Sequence, residues 1–207
     1  MQYMDNYRPL TLEEKKKKDR ERAERDAEMR ARNNRMGLAI FQGSWIMAFV
    51  CLAIVYLVMG AVPGWRPAEG HRPDALLPTI ATLILLTSSW LARSGWKAVT
   101  RDDVQKFLSQ WMIAIVLSGV FVVIMMTQFF AISPTETDIQ YVELYRLMIA
   151  YHAIHAVIIG YMMVQVWRYG RAGHYHSDNH WSVEAGLKLQ YFVTAAWLIF
   201  YAVLYLT

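Results

Sequence analysis

Five stretches of this chain are apolar for longer than a globular helix needs, and polar or turn-forming residues separate them. They run over about 37–62, 75–92, 107–132 and 142–167. The last opens near Glu184 and is almost unbroken from Leu189 to Thr207. About 20 mostly apolar residues cross a bilayer as a helix, so each stretch reads as a span. The pattern predicts an all-α fold: a polytopic membrane bundle of five transmembrane helices. Between the first two spans lies PGWRPAEGHRPD, whose prolines and glycines break helices and mark a loop. No internal repeat is visible, which leaves an inverted-repeat transporter without support.

Residues 1–36 are polar and contain no apolar core of the signal-peptide type, so a cleaved leader is not expected. Thr11-Leu12-Glu13-Glu14 fits a capping box and predicts a helix start. Glu13–Lys17, Glu14–Lys18, Arg20–Glu24 and Glu21–Arg25 are spaced for i,i+4 pairs, and the helix is expected to end near Asn33-Asn34. With almost no apolar face, this is a solvated extension that fixes topology, or a docking arm for a neighbouring subunit or anionic lipid heads. The organisation is therefore a charged cytoplasmic arm, 1–36, and a five-helix membrane domain, 37–207.

Charge refines this picture. The net charge of +4 suggests a polyanion partner, but of 21 Lys and Arg 11 precede the first span, mixed with eight acids. If the N-terminus is cytoplasmic, the inner side also holds Arg93, Lys97, Arg101, Lys106, Arg168 and Arg171, whereas the outer side holds Arg66 and Arg72. Seventeen against two is a positive-inside signal, with the N-terminus in and the C-terminus out. One cysteine, Cys51, excludes a disulfide framework and reads as a small hydrophobe.

Few polar groups lie within the spans. His152 and His155, three apart on the fourth span, share a face. A b-type haem between helices would take one histidine from each of two spans, and no other span contains one. A tetrahedral metal needs further ligands, and Glu184 lies about 20 Å from His155 along the bundle axis. Neutral imidazoles hydrogen-bonded between helices or to lipid are the favoured reading, and proton conduction is the other. Glu143 and Arg146 are spaced to pair. Thr87, Ser88 and Ser89 can bond their own backbone or bridge helices, and Gln110 and Gln128 sit towards opposite ends of the third span. On the fifth, Glu184 and Lys188 are spaced as an i,i+4 pair, with Tyr191 and Tyr205 on the same stripe. His174, His176 and His180, with Asp178, form a loop cluster that is a wet basic surface or a metal site. Ala156-x-x-x-Gly160 and Ala185, Gly186, Ala195 and Ala196 would permit close helix approach.

His152-x-x-His155, the basic loop, the His-rich patch, Glu184-Ala185-Gly186 and the closing Trp197 and Tyr201 together resemble subunit III of haem–copper oxidases, in its five-helix form. That family has H-G-L-H on the equivalent span, then F-E-A, then H-F-V-D-V-V-W, where this chain has Tyr191-Phe192-Val193-Thr194-Ala195-Ala196-Trp197. Thr87-Ser88-Ser89 and Ser118-Gly119-Val120 match its small polar stretches, and residues 37–207 follow its order and spacing. There are departures. Trp45 follows Ser44 where the family commonly has a buried carboxylate. Tyr191 and Thr194 replace its last-helix His and Asp, and Met126 or Phe129 its late third-span acid.

The resemblance implies a non-catalytic accessory subunit of an aerobic terminal oxidase, using cytochrome c or quinol. The subunit would lie beside the catalytic subunit I in a bacterial inner (plasma) membrane. Haem and copper would sit in partner subunits and no cofactor in this chain, which has no catalytic site of its own within a proton-translocating complex. It also implies phospholipid in an interhelical cleft, with His152, His155, Arg168 and Arg171 as lipid-binding residues. Glu184, Lys188, Trp197 and Tyr201 would be structural. The alternatives are an accessory subunit of a nitric-oxide reductase or respiratory supercomplex, or a small membrane cytochrome or anchor.

Overall fold

The computed structural model describes residues 11–67, 73–132 and 139–207. Five helices account for nearly all of them: α1 (Leu12–Gly60), α2 (Leu76–Val99), α3 (Val104–Ala131), α4 (Ile139–Arg171) and α5 (Trp181–Tyr205). All five are long and apolar enough to cross a membrane. The one departure from helix and turn among the described residues is an isolated bridge between His176 and Asn179. Arg72 and part of the first loop, 68–72, lie outside the described residues.

The helices outrun their apolar windows. The 49-residue α1 does not stop at Asn33-Asn34, where the sequence suggests an end. Asn and Gly each weaken a helix by at most about 1 kcal/mol, and a helix already formed gains a bond for each added residue. Its start is as expected: Glu14 N–H donates to Thr11 Oγ1 at 3.3 Å, and Thr11 N–H donates to Glu14 Oε2 at 2.8 Å. Helix α2 continues past 92 to Val99, because Ala92, Gly95, Ala98 and Val99 stay buried while Arg93 and Lys97 point away. Turns end these helices, not loss of hydrophobicity. Asp103 Oδ1 accepts the Lys106 N–H at 3.0 Å to cap α3, and Gly173 at φ +77° follows α4.

The chain divides into two compact units at Ser44–Trp45. In the first, the described residues are a charged helix with a Glu13–Lys16 ion pair at 3.6 Å, and Arg25 Nε donates to the Glu21 carbonyl. In the second, α2 packs on α3, α3 on α4, α4 on α5, and α5 back on α2. This closes a four-helix core. At one end Phe107 and Trp111 fill it, against Ala92, Val99, Met163, Val166 and Leu187. Glycines make room for them. A Cβ on Gly170 would lie 2.5 Å from Phe107, and one on Gly186 would lie 3.0 Å from Trp111. Gly160, by contrast, has open space where its Cβ would be, so of Ala156-x-x-x-Gly160 the glycine makes no close approach within this chain. The Trp45–Gly60 part of α1 meets the core through rings: Trp45 on His155, Phe49 on Phe200 and Tyr56 on Tyr141.

Candidate functional site

His152 and His155 do share a face of α4, but in different surroundings. His152 is completely buried among Phe49, Phe121, Trp197 and Phe200, with ring centroids 5.3–6.4 Å away. Neither of its nitrogens has a hydrogen-bond partner among the described residues. His155, one turn on, donates from Nδ1 to the Tyr151 carbonyl at 2.6 Å. Its ring meets the edge of Trp45, with centroids 4.3 Å apart. Of the two bonds considered for these histidines, to another helix or to lipid, the first is not made among the described residues: one ring bonds its own helix and the other has no partner there. An aromatic cage leaves an imidazole no acceptor, and its contacts are to ring faces and edges.

Polar bonding between helices is concentrated instead on a seam joining α2, α3 and α5. The Ser88 and Ser118 hydroxyls lie 2.9 Å apart, and Gln190 Nε2 donates to both at 3.1 Å. One turn along, the Ser89 and Thr194 hydroxyls are 2.6 Å apart. Further on, Trp197 Nε1 donates to Thr82 Oγ1 at 2.8 Å, and the Thr79 and Tyr201 hydroxyls meet at 2.6 Å. Helix α5 therefore presents Gln190, Thr194, Trp197 and Tyr201, at spacings of three to four, to an antiparallel α2. In hydrocarbon such bonds contribute about 0.6 kcal/mol each. Ser88 and Ser89 bridge helices as anticipated, while Thr87 bonds its own backbone at Leu83. Thr194 is not a silent position. Gln190 escaped the sequence reading, being a lone amide one residue into the apolar run that starts at Leu189.

The remaining candidates lie nearer the ends. Arg168 and Arg171 are exposed at the end of α4, Arg171 stacking over Trp167 at 4.9 Å. They are not brought together with His155, which is 13 residues away along α4. Lys188 pairs with Glu184 at 2.7 Å and lies over the Trp181 ring at 5.4 Å. Arg146 does not pair with Glu143. Its guanidinium donates to the Ile132 carbonyl at 2.5 Å and lies over Phe129. Gln128 is buried, and Gln110 Oε1 is buried without a partner among the described residues. Cys51 is free and exposed.

The histidine loop is built by its own backbone. His176 and Asn179 exchange main-chain bonds, His180 Nδ1 donates to the Ser177 carbonyl at 2.6 Å, and Asn179 Nδ2 donates to that of His174. Asp102, from the α2–α3 turn, accepts the Ser177 N–H at 2.7 Å, and that bond holds its carboxyl below the ordinary value. Among the described residues no three His, Cys, Asp or Glu side chains gather as metal ligands, so His174, His176, His180 and Asp178 do not form the metal cluster considered from sequence.

Comparison with known proteins agrees with this arrangement. The family model described as cytochrome c oxidase subunit III matches residues 25–207. The cytochrome c oxidase subunit 3 of Thermostichus vulcanus is 28% identical over 173 residues, 83% of this chain and 86% of the relative. That of Synechocystis sp. is 26% identical over 174 residues, 82% of this chain and 74% of the relative. That of Lemur catta is 26% identical over 143 residues, 68% of this chain and 52% of the relative.

Proposed function

The chain belongs to the cytochrome c oxidase subunit III family, and from that membership we propose how its geometry serves the enzyme. It is an accessory subunit of a haem–copper terminal oxidase and a multi-pass membrane protein, associated with subunit I and the rest of the complex. The observation that supports a scaffold role is the seam. The mid-span hydroxyls and amide of α2, α3 and α5 are committed to neighbouring helices and hold the core closed. The chain thus acts by holding shape beside the redox centres of its partner.

The finer reading concerns lipid. Arg168 and Arg171 are exposed where α4 leaves its apolar stretch, at a depth where a guanidinium takes a phosphate in a bidentate pair. His155 borders the junction of α1 and α4, where rings rather than backbones make the contact, and its place there is what supports a lipid-facing role. His152, grouped with the lipid-binding residues from the sequence, is fully enclosed by rings and leaves no surface for lipid, so its part is packing behind His155. Glu184 and Lys188, with Trp197 and Tyr201, keep α5 in register. Seventeen basic residues against two support an N-terminus in the cytoplasm, and the location we propose is a bacterial plasma membrane.

The test is the complex itself. Purified in mild detergent, the chain should copurify with a haem-bearing subunit. The double variant H155A/R168A should keep the initial oxidase rate and lose activity severalfold faster during turnover, with less retained phospholipid. Immediate loss of haem, or a normal lifetime, would overturn the lipid reading.

A further inference from the structure

The outward face of α2 changes character as it nears the end of the bundle that carries Arg168. Leu83 and Leu86 are exposed apolar side chains, and Trp90 is 66% exposed. The next exposed side chains are Arg93 and Lys97. Spacings of three and four put Trp90, Arg93 and Lys97 on one stripe. At 1.5 Å per residue, Arg93 lies about 4.5 Å beyond Trp90 and Lys97 about 10 Å beyond it. The headgroup layer on each side of the hydrocarbon is about 5–8 Å deep. With the indole at the hydrocarbon boundary, where Trp is favoured, the guanidinium reaches the phosphates and the ammonium the outer edge of that layer.

A rigid element presents these cations. Ala92, Gly95, Ala98 and Val99 keep this part of α2 helical and packed on the core, so little order has to be gained on binding. Neither cation has a carboxylate partner among the described residues. The contact between the Ser89 and Thr194 hydroxyls sets the antiparallel register of α2 and α5. Arg93 and Lys97, one and two turns past Ser89, therefore run beside residues 184–190. The carboxylate of that stretch, Glu184, is held by Lys188 at 2.7 Å. Two unpaired positive charges remain, and Glu184 is not free to receive the ammonium of a zwitterionic headgroup. Such a balance favours a headgroup of net negative charge. The arginine fork takes its phosphate in a bidentate pair, and the lysine adds a second point charge. A free anion has no use for the indole, whereas the glycerol and upper acyl chain of a lipid lie against it.

We infer that the Trp90, Arg93 and Lys97 stripe binds one anionic phospholipid, with Arg93 on the phosphate and Trp90 against the glycerol. Helix α2 packs on α3 and α5, so this face is turned away from α4. The inference does not rest on lipid binding at His155, Arg168 or Arg171. The rival is three solvated side chains that mark the membrane boundary and hold nothing.

The experiment uses the purified oxidase complex, stripped of lipid in uncharged detergent and exposed to phosphatidylglycerol or phosphatidylcholine. Native mass spectrometry counts the lipid retained. R93Q/K97Q should retain one phosphatidylglycerol fewer than wild type, with an apparent affinity at that site at least tenfold weaker and phosphatidylcholine unchanged. W90A, which keeps both charges, should weaken the same lipid severalfold, and H155A/R168A should leave it in place. Should the double variant not assemble, R93K keeps the charge, loses the fork and should show a partial loss. Equal phosphatidylglycerol retention in R93Q/K97Q, equal loss of both lipids, or displacement of the lipid by excess inorganic phosphate with no effect of W90A would overturn the inference.

Discussion

At the scale of single residues, Asp102 shows how much a turn can carry. It adopts φ +59°, a left-handed conformation that disfavours a side chain, and its carboxylate receives the Ser177 amide at 2.7 Å. The α2–α3 turn is thereby latched to the α4–α5 loop. The bond depresses the carboxyl from its ordinary 3.8, so its stabilising effect is full above that value and fades as pH falls through the lower folded value. Hydrogen exchange at the Ser177 amide should show protection unchanged between pH 7 and 5 and falling below 3.8. D102N should remove the pH dependence and weaken protection severalfold, and unaltered protection in D102N would remove the latch. Nothing in the sequence around Asp102 marks this role, because its partner is 75 residues away. His152 was legible as half of a pair, but its isolation was not, since the rings enclosing it come from α1, α3 and α5.

At the scale of elements, spacing within a helix proved a weaker guide than what faces it. Ala156-x-x-x-Gly160 and Ala185-Gly186 both offer small residues, yet of the two glycines only Gly186 has a neighbour, Trp111, where a Cβ would go. The Trp111 indole is itself held by a 3.0 Å bond from Nε1 to the Met163 carbonyl, so it cannot yield readily. Gly186→Val should therefore destabilise by about 1–3 kcal/mol through overpacking, whereas Gly160→Val should be within about 0.5 kcal/mol of wild type. Thermal unfolding of the solubilised complex distinguishes them, and equal shifts would refute the packing argument. The five spans were legible because a bilayer demands apolar length. Their ends were not: Arg93 and Lys97 read as loop residues, although one buried stripe carries α2 on to Val99. The seam was half legible. Ser88 and Ser89 advertised themselves, while Gln190 and Thr194 took meaning only from the hydroxyls opposite.

At the scale of the whole chain, the question is what the charged first unit does for the membrane unit. Among the described residues, every buried residue of the core, from Phe49 to Leu204, lies within the second unit. The packing of the spans therefore does not call on residues 11–36. Topology is a separate matter, because eleven of the seventeen basic residues assigned to the inner side precede the first span. Without them, Arg93, Lys97, Arg101, Lys106, Arg168 and Arg171 still face only Arg66 and Arg72, so the bias falls to six against two but keeps its sign. Deletion of residues 1–36 should leave the orientation of a terminal reporter fusion and the unfolding temperature of the assembled complex unchanged. A mixed or inverted reporter pattern would show that the first unit fixes orientation. A normal pattern with loss of copurifying subunits would assign it to docking.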